Sequence, residues 1–272
     1  MKITVNNLNF IVSDQPVSEQ DETMLTFWKQ CGKNWESHTY AIFDKFLDKD
    51  HTYLDIGAWI GPTVLYGAQI AKTSYCFEPD KLAFLYLINN IKVNPELLPN
   101  IKSFEFGISD KNKTERFYVG NGSTSMSSVK PNHVNVDSSY EILLCDMETA
   151  VTKAEIDFKQ VNFIKIDIEG GEYDLIPSLL EYCKQMNHFP VLYISLHAPF
   201  LFNPIWKNNI FFKLLAYLPK QITARFENKR ITDLLSNSYK YIYLPDGTLL
   251  TSLSRLGDAR AFQEIVVTNK PW

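Results

Sequence analysis

Residues 53–61 read Tyr-Leu-Asp-Ile-Gly-Ala-Trp-Ile-Gly, and residues 76–80 read Cys-Phe-Glu-Pro-Asp. Within this pair, Asp55, Gly57, Gly61 and Glu78 have the types and spacing that suit chemistry. The glycines lack the Cβ that would block a positive φ or a close backbone approach. Pro62 suits the first position of a following helix, where its missing N–H costs nothing. Glu78 lies 23 positions after Asp55, the length of one turn, one helix and one return strand. Such a unit delivers a glycine loop and a carboxylate to the same edge of a parallel sheet, where nucleoside ligands bind.

The turn narrows the ligand. A dinucleotide fingerprint, Gly-x-Gly-x-x-Gly, holds a helix N-terminus open for a pyrophosphate. Here the order is Asp-x-Gly-x-x-x-Gly, with Trp59 between the glycines. An acid ahead of the turn repels a diphosphate and suits a cationic or zwitterionic ligand. S-Adenosylmethionine, with an amino-acid group, a sulfonium and no phosphate, meets that requirement. The competing reading, that Gly57 and Gly61 are ordinary strand-to-helix turn residues, is weakened by Glu78 at the right spacing.

These residues need a βα scaffold, and the pattern supplies one. Residues 3–12 alternate as a short strand or hairpin turning at Asn6-Asn7, and 18–30 and 41–47 read as helices. Strand 52–56 leads to helix 62–72, strand 74–78 to helix 80–92, and strand 101–106 follows. A strand pair near 115–119 and 140–145 flanks the Ser/Asn-rich stretch 120–139, a lid or binding loop by its length, or equally a surface excursion. Strand 161–167 leads to helix 172–185, and strand 190–196 closes the parallel series. Helices over 204–218 and 228–236 and late strands at 239–244 and 262–268 complete the chain. Alternating strands and helices imply an α/β, doubly wound, mostly parallel sheet with one antiparallel edge. The expected division is an N-terminal strand/helix extension over 1–34 and one domain over 35–272.

Composition excludes several classes. The 272 residues are 45% hydrophobic and 14% aromatic, enough for a sizeable core, and the formal net charge of −4 gives no footprint for nucleic acid. The N-terminus has no apolar h-region, so no secretory signal is expected. The apolar stretch 210–218 is too short to span a bilayer, which needs roughly 20 apolar residues. Cys31, Cys76, Cys145 and Cys183 show no CxxC pairing, which fits buried free thiols in a reducing cytoplasm.

The segment Phe163-Ile164-Lys165-Ile166-Asp167-Ile168-Glu169-Gly170-Gly171-Glu172 makes the pattern specific. With Leu54 to Gly61, Phe77-Glu78-Pro79-Asp80 and the Asn89-Asn90…Asn94 run, it resembles the FkbM-type family of S-adenosylmethionine-dependent methyltransferases. The resemblance covers roughly Trp35 to His197. It implies the class I, Rossmann-like, seven-stranded methyltransferase fold with strand order 3-2-1-4-5-7-6, strand 7 antiparallel. It also implies O-methylation of a sugar, glycan or glycosylated-metabolite hydroxyl. The cofactor site it implies comprises Asp55, Gly57, Ala58 and Gly61 at the methionine end, Glu78 with Pro79 at the ribose, and Gly107, Ile108 and Ser109 at the adenine, with Asp167 beside them. Glu36 and Trp35, which precede the first core helix, are expected to cap the methionine end, with Trp35 equally readable as a core aromatic. The other readings are a catalytically inactive cofactor-binding regulator or scaffold, and a methyltransferase for a non-sugar small molecule.

Methyl transfer to a hydroxyl is an in-line displacement that needs a base for the hydroxyl proton. In this topology the base belongs on a loop at the carboxyl end of a strand. Asp167, Glu169 and His197 end the two strands beside the cofactor turn, so His197 or Asp167 is expected as the base and Glu169 as the group that positions the acceptor. These three residues also have the donor types for a divalent ion, although no metal site is expected. Alternation puts Lys165 and Asp167 on one face of their strand. Lys165 is expected to lie along a helix, Glu172 to serve as charge at a helix N-terminus, and His38, His51, His133 and His188 to be surface or turn residues. The aromatic stretch 200–217, with Phe202, Trp206, Phe211 and Phe212, is expected to be mostly helical core, with part of it available as a stacking wall for a sugar ring.

Overall fold

The computed structural model describes residues 1–18, 21–32, 35–119, 138–198, 210–251 and 263–272, with the backbone alone described at 21, 119, 138 and 210–221. A hairpin of β1 (Lys2–Val5) and β2 (Leu8–Ile11) opens the chain, followed by α1 (Asp21–Cys31) and α2 (Ser37–Phe46). Then β3 (Thr52–Ile56), α3 (Pro62–Ile70), β4 (Thr73–Phe77), α4 (Lys81–Lys92) and β5 (Ile101–Phe104) alternate. A small sheet of β6 (Gly107–Ile108), β7 (Lys113–Val119) and β8 (Ser138–Cys145) comes next. The remainder is α5 (Met147–Lys153), β9 (Val161–Ile166), α6 (Glu172–Met186), β10 (Val191–Leu196), α7 (Ile210–Ser236), β11 (Tyr241–Tyr243) and β12 (Gln263–Thr268).

The main sheet has seven strands in the order β11-β12-β10-β9-β3-β4-β5. All neighbours are parallel except β12, which runs antiparallel to β10 and β11. Numbered within this sheet alone, the order reads 3-2-1-4-5-7-6, as the family resemblance implied. Helices cover both faces, so β3 is buried along its whole length, as parallel sheets require. Alternation then splits the core. Leu54, Ile56, Ile164, Ile166, Leu192 and Ile194 join the cluster under α5, α6 and α7. Tyr53, Phe163 and Tyr193 join the one under α2 and α3. Ile3, Val5, Phe10, Val12, Met24, Trp28 and Cys31 of the first 34 residues share this second cluster. Asn90 and Asn94 of α4 and its end pin that segment: the Ile11 amide donates to Asn94 Oδ1 at 2.8 Å and the Ser13 amide to Asn90 Oδ1 at 2.9 Å.

One expectation needs correction, and one element was missed. The helices expected at 204–218 and 228–236 are, over the described residues, a single helix from Ile210 to Ser236 that carries Pro219 in its interior. An interior proline costs about 3 kcal/mol, yet Ala224, Ile231 and Leu235 beyond it bury in the core and hold the helix together. Residues 204–209 lie outside the described residues, as do 120–137 of the expected loop. Helix α5 escaped the sequence reading because its 7 residues are too few to show helical periodicity. Its signal is Asp146, whose carboxylate caps the Thr149 amide at 2.8 Å. Among the described residues no helix is long and apolar enough to cross a membrane, and all four cysteines are buried and free.

Candidate active site

The turn after β3 is built by its glycines. Gly57 takes φ 87°, and a Cβ there would lie 1.8 Å from the Asp167 carbonyl oxygen, so only glycine lets this turn pack against the end of β9. Gly61, at φ 96°, starts α3 with Pro62 in its first turn. Between them Trp59 holds φ 48°, an uncommon conformation for a large residue. The amides of Gly57 and Ala58 both donate to the Phe77 carbonyl at 3.1 Å, which ties the turn to β4.

Glu78 completes that tie. It is 7% exposed; its Oε2 accepts the Trp59 amide at 2.8 Å and its Oε1 the Asp80 amide at 2.7 Å. Burial, and secondarily the neighbouring Asp80, pushes its carboxyl up to about 8. Each carboxylate oxygen has a second lone pair, a good match to two vicinal hydroxyls. Pro79 packs against Gly107, where a Cβ would meet Pro79 Cγ at 3.2 Å. Buried Ile108 and Ser109 therefore continue from the same corner. Asp110 caps the group, accepting from Ser109 Oγ at 3.0 Å and pairing with Lys113 at 3.5 Å.

Asp55 is fully buried beneath the turn. Its Oδ2 accepts Tyr53 Oη at 2.5 Å and Thr63 Oγ1 at 2.6 Å. Its Oδ1 lies 3.3 Å from Lys165 Nζ. Lys165 thus overturns the expectation of a stem lying along a helix. The β3–β9 register sets it directly opposite Asp55, and paired residues share a face. Its ammonium also lies 3.2 Å from the Gly57 carbonyl and 3.4 Å from Asp167 Oδ2. Burial disfavours the charge, but Asp55, Asp167 and Glu36 outweigh burial and hold Lys165 firmly protonated.

The ends of β9 and β10 form the second half of the site. Glu169 at φ 53° and Gly170 at φ 97° turn the chain into α6. Glu172 sits in the first turn of α6 as expected, yet it does more than favour the helix end. Fully buried, its Oε1 accepts the Ile168 amide and faces His197 Nδ1, both at 2.9 Å, and its Oε2 accepts the Gly170 amide at 3.0 Å. His197 Nε2 then faces Asp167 Oδ1 at 3.5 Å and Glu169 Oε2 at 3.7 Å. Burial pulls the imidazole down, but Glu172, Asp167 and Glu169 together raise it to about 10. Burial raises Asp167 too, but Lys165 and His197 overcome this and hold it below the usual carboxylate value. Glu169 is pushed well up, by burial first. An imidazolium has no lone pair to offer, so the carboxylates are the members of this cluster able to take a proton.

Asp167, Glu169 and His197 each place one ligand atom within 4.8 Å of the others. Two carboxylate oxygens and one imidazole nitrogen are donors a divalent ion accepts, and its binding would displace the imidazole proton.

Glu36 takes φ 43° ahead of α2. Its Oε2 accepts Thr39 Oγ1 at 3.1 Å, and burial, then Asp167, raises it to about 7. Trp35 meets Phe27 at 5.0 Å, and Phe27 meets Trp59 at 4.5 Å, an edge-to-face chain reaching the turn. His38 pairs with Glu264, the His51 ring contacts the Phe46 carbonyl, and His188 Nε2 lies 2.6 Å from the Val161 carbonyl. His133, Phe202 and Trp206 lie outside the described residues, as do the side chains of Phe211 and Phe212.

The structure therefore groups the candidates in two sets around one turn. Asp55, Gly57, Asp167, Glu169 and His197 gather at the β9 side, and Glu78, Pro79, Gly107, Ile108 and Ser109 at the β4 side. Read from the sequence, Lys165 and Glu172 had structural roles only, a stem along a helix and charge at a helix end. For Lys165, alternation with Asp167 carried a signal; for Glu172, the partner on β10 carried none.

A methyltransferase FkbM domain matches residues 55–220, which spans both sets. No curated protein sequence matches the chain. Among solved structures, the methyltransferase FkbM from Methylobacillus flagellatus KT is 13% identical at a TM-score of 0.44, with 92% of this chain and 60% of that one covered. The chain therefore spans less than two thirds of that protein's length. A putative methyltransferase from Streptococcus mutans in complex with SAH is 10% identical at a TM-score of 0.41, covering 86% of this chain and 98% of that one. The METTL16 MTase domain is 12% identical at 0.41, covering 85% and 66%. Likeness at this level carries no assignment; the domain match does, since it takes in more than half of the sequence. This chain belongs to the FkbM family of S-adenosylmethionine-dependent methyltransferases.

Proposed function

We propose that the chain transfers a methyl group from S-adenosylmethionine to a hydroxyl of a sugar, glycan or glycosylated metabolite. The observation that carries this reading is the turn at Gly57, flanked on one side by buried Glu78 and on the other by the Asp167/Glu169/His197 cluster. S-Adenosylmethionine supplies an electrophilic methyl group on a positively charged sulfur. Glu78 accepts from the two ribose hydroxyls, Gly107, Ile108 and Ser109 take the adenine, and the turn from Asp55 to Gly61, with Glu36, takes the methionine end. Asp167 accepts the proton as the acceptor oxygen forms its bond to carbon and the carbon–sulfur bond breaks. Glu169 holds the acceptor hydroxyl, and His197, clamped by Glu172, keeps Asp167 oriented and charged.

Asp167, held ionised on the acceptor side, favours a neutral, hydroxyl-rich acceptor over a phosphodiester chain. Four buried, unpaired thiols suit a reducing cytoplasm. Residues 1–34 act in this reading as an extension that closes the core beside the turn.

The first test is a thermal-shift titration, since a ligand that binds only the native state raises its melting temperature. S-Adenosylhomocysteine should stabilise the protein; stabilisation by NAD instead would overturn the reading. Mass spectrometry of glycans from cells with and without the gene should then show a methyl group lost with it.

A further inference from the structure

Lys165 is a buried cation at the centre of the sheet, and nothing in the chemistry of methyl transfer calls for a lysine there. Its three ammonium hydrogens have three acceptors: Asp55 Oδ1 at 3.3 Å, Asp167 Oδ2 at 3.4 Å and the Gly57 carbonyl at 3.2 Å. The first belongs to β3 itself, the third to the turn after it, and the second to the end of β9. The donor count and the acceptor count close, and the side chain is 5% exposed, so no water is needed to complete the set.

The consequences run in both directions. Asp55 has its other oxygen occupied by Tyr53 and Thr63, so Lys165 provides its countercharge. Asp167 meets His197 with Oδ1 and Lys165 with Oδ2, which fixes the plane of its carboxylate. Gly57 stands where any Cβ would strike the Asp167 backbone, so its carbonyl and the β9 end move together. A shift of either strand end must break an ammonium contact in a dry environment, where an unsatisfied charge is expensive.

Resting on the cofactor and base assignments above, we propose that Lys165 is a positioning residue that locks the cofactor turn to Asp167, so that cofactor binding and placement of the base are one event. Lys165 touches neither reactant. It acts through the Gly57 carbonyl and the Asp167 carboxylate.

The test uses the full chain with Lys165→Met, which keeps the length of the stem and removes the ammonium. In the folded protein the KM for S-adenosylmethionine and the Kd for S-adenosylhomocysteine should rise at least tenfold and kcat should fall at least tenfold. A lysine that only stabilises the fold would lower the melting temperature and leave all three constants of the folded protein unchanged, and that result overturns the proposal. A second measurement needs no disabling variant. The Lys165 ammonium signal in a nitrogen-15 spectrum of the wild type, assigned with Lys165→Arg, should shift when S-adenosylhomocysteine saturates the site. An unmoved signal at saturation overturns the proposal while leaving the cofactor reading intact; a wild type that does not bind S-adenosylhomocysteine at all removes both.

Discussion

Glu78 and Asp167 are carboxylates at the carboxyl ends of β4 and β9, the two strands that flank β3. They have opposite chemistry. The described partners of Glu78 are two backbone amides, and burial raises it to about 8. Asp167 has a lysine on one oxygen and a histidine on the other, and it is held ionised below the ordinary value. Glu78 is the more deeply buried and the Asp167 side chain is 25% exposed, but burial raises both, and the charged neighbours Lys165 and His197 reverse its effect at Asp167 alone. On this comparison Glu78 is suited to accept hydrogen bonds from a ligand that displaces its proton, and Asp167 to be charged before any ligand arrives.

Breaking the β9 side should have the largest effect. With its base neutralised, Asp167→Asn should slow turnover by roughly 10²–10⁴-fold while S-adenosylhomocysteine still binds. Single-turnover kinetics together with calorimetry separate the two quantities, and wild-type turnover would move the base elsewhere. Glu78→Ala should do the reverse. Losing two charge-assisted hydrogen bonds, worth roughly 1.5–3 kcal/mol each, should cost about 10²-fold or more in cofactor affinity. Unchanged binding would mean that β4 does not face the ribose.

The comparison also fixes the direction of two pH effects. Because Glu78 titrates at about 8 in the free protein and ribose hydroxyls donate best to the ionised form, affinity for S-adenosylhomocysteine should rise from pH 6 to 8 and flatten above. Binding below pH 8 should release a proton, visible as a buffer-dependent enthalpy that Glu78→Gln abolishes. His197 is raised in the fold from 6.5 to about 10. Its contribution to stability is therefore fully present below pH 6.5 and is lost as the pH rises towards 10. Between these limits the wild type should lose on the order of 5 °C more in melting temperature than His197→Gln. Equal slopes would mean that the carboxylates around the imidazole do not hold its proton.

The two sides also differ in how openly the sequence displays them. The turn and the β4 side are local: Asp55, Gly57, Gly61 and Glu78 lie within one βαβ unit, and the strand expected at 52–56 is β3 to the residue. Glycine spacing, Pro62 at a helix start and a strand-ending acid are signals that short-range sterics enforce. The β9 side is partly visible, because Asp167 and Glu169 end an apolar run. Its organisation is not, because Lys165 meets Asp55 across 110 positions and Glu172 meets His197 across 25.

The sequence by itself determined the strand and helix alternation of the main sheet, the glycine turn, the acid that follows it and the family, since each depends on neighbours within a few turns of chain. Only the tertiary structure decided that Lys165 is a buried bridge, that Glu172 clamps His197, and that one strand-end acid is proton-holding and its counterpart ionised. Those outcomes depend on strand register and on burial, which place charges from distant segments within about 3.5 Å in a low dielectric, where a single contact outweighs the intrinsic preference of the side chain.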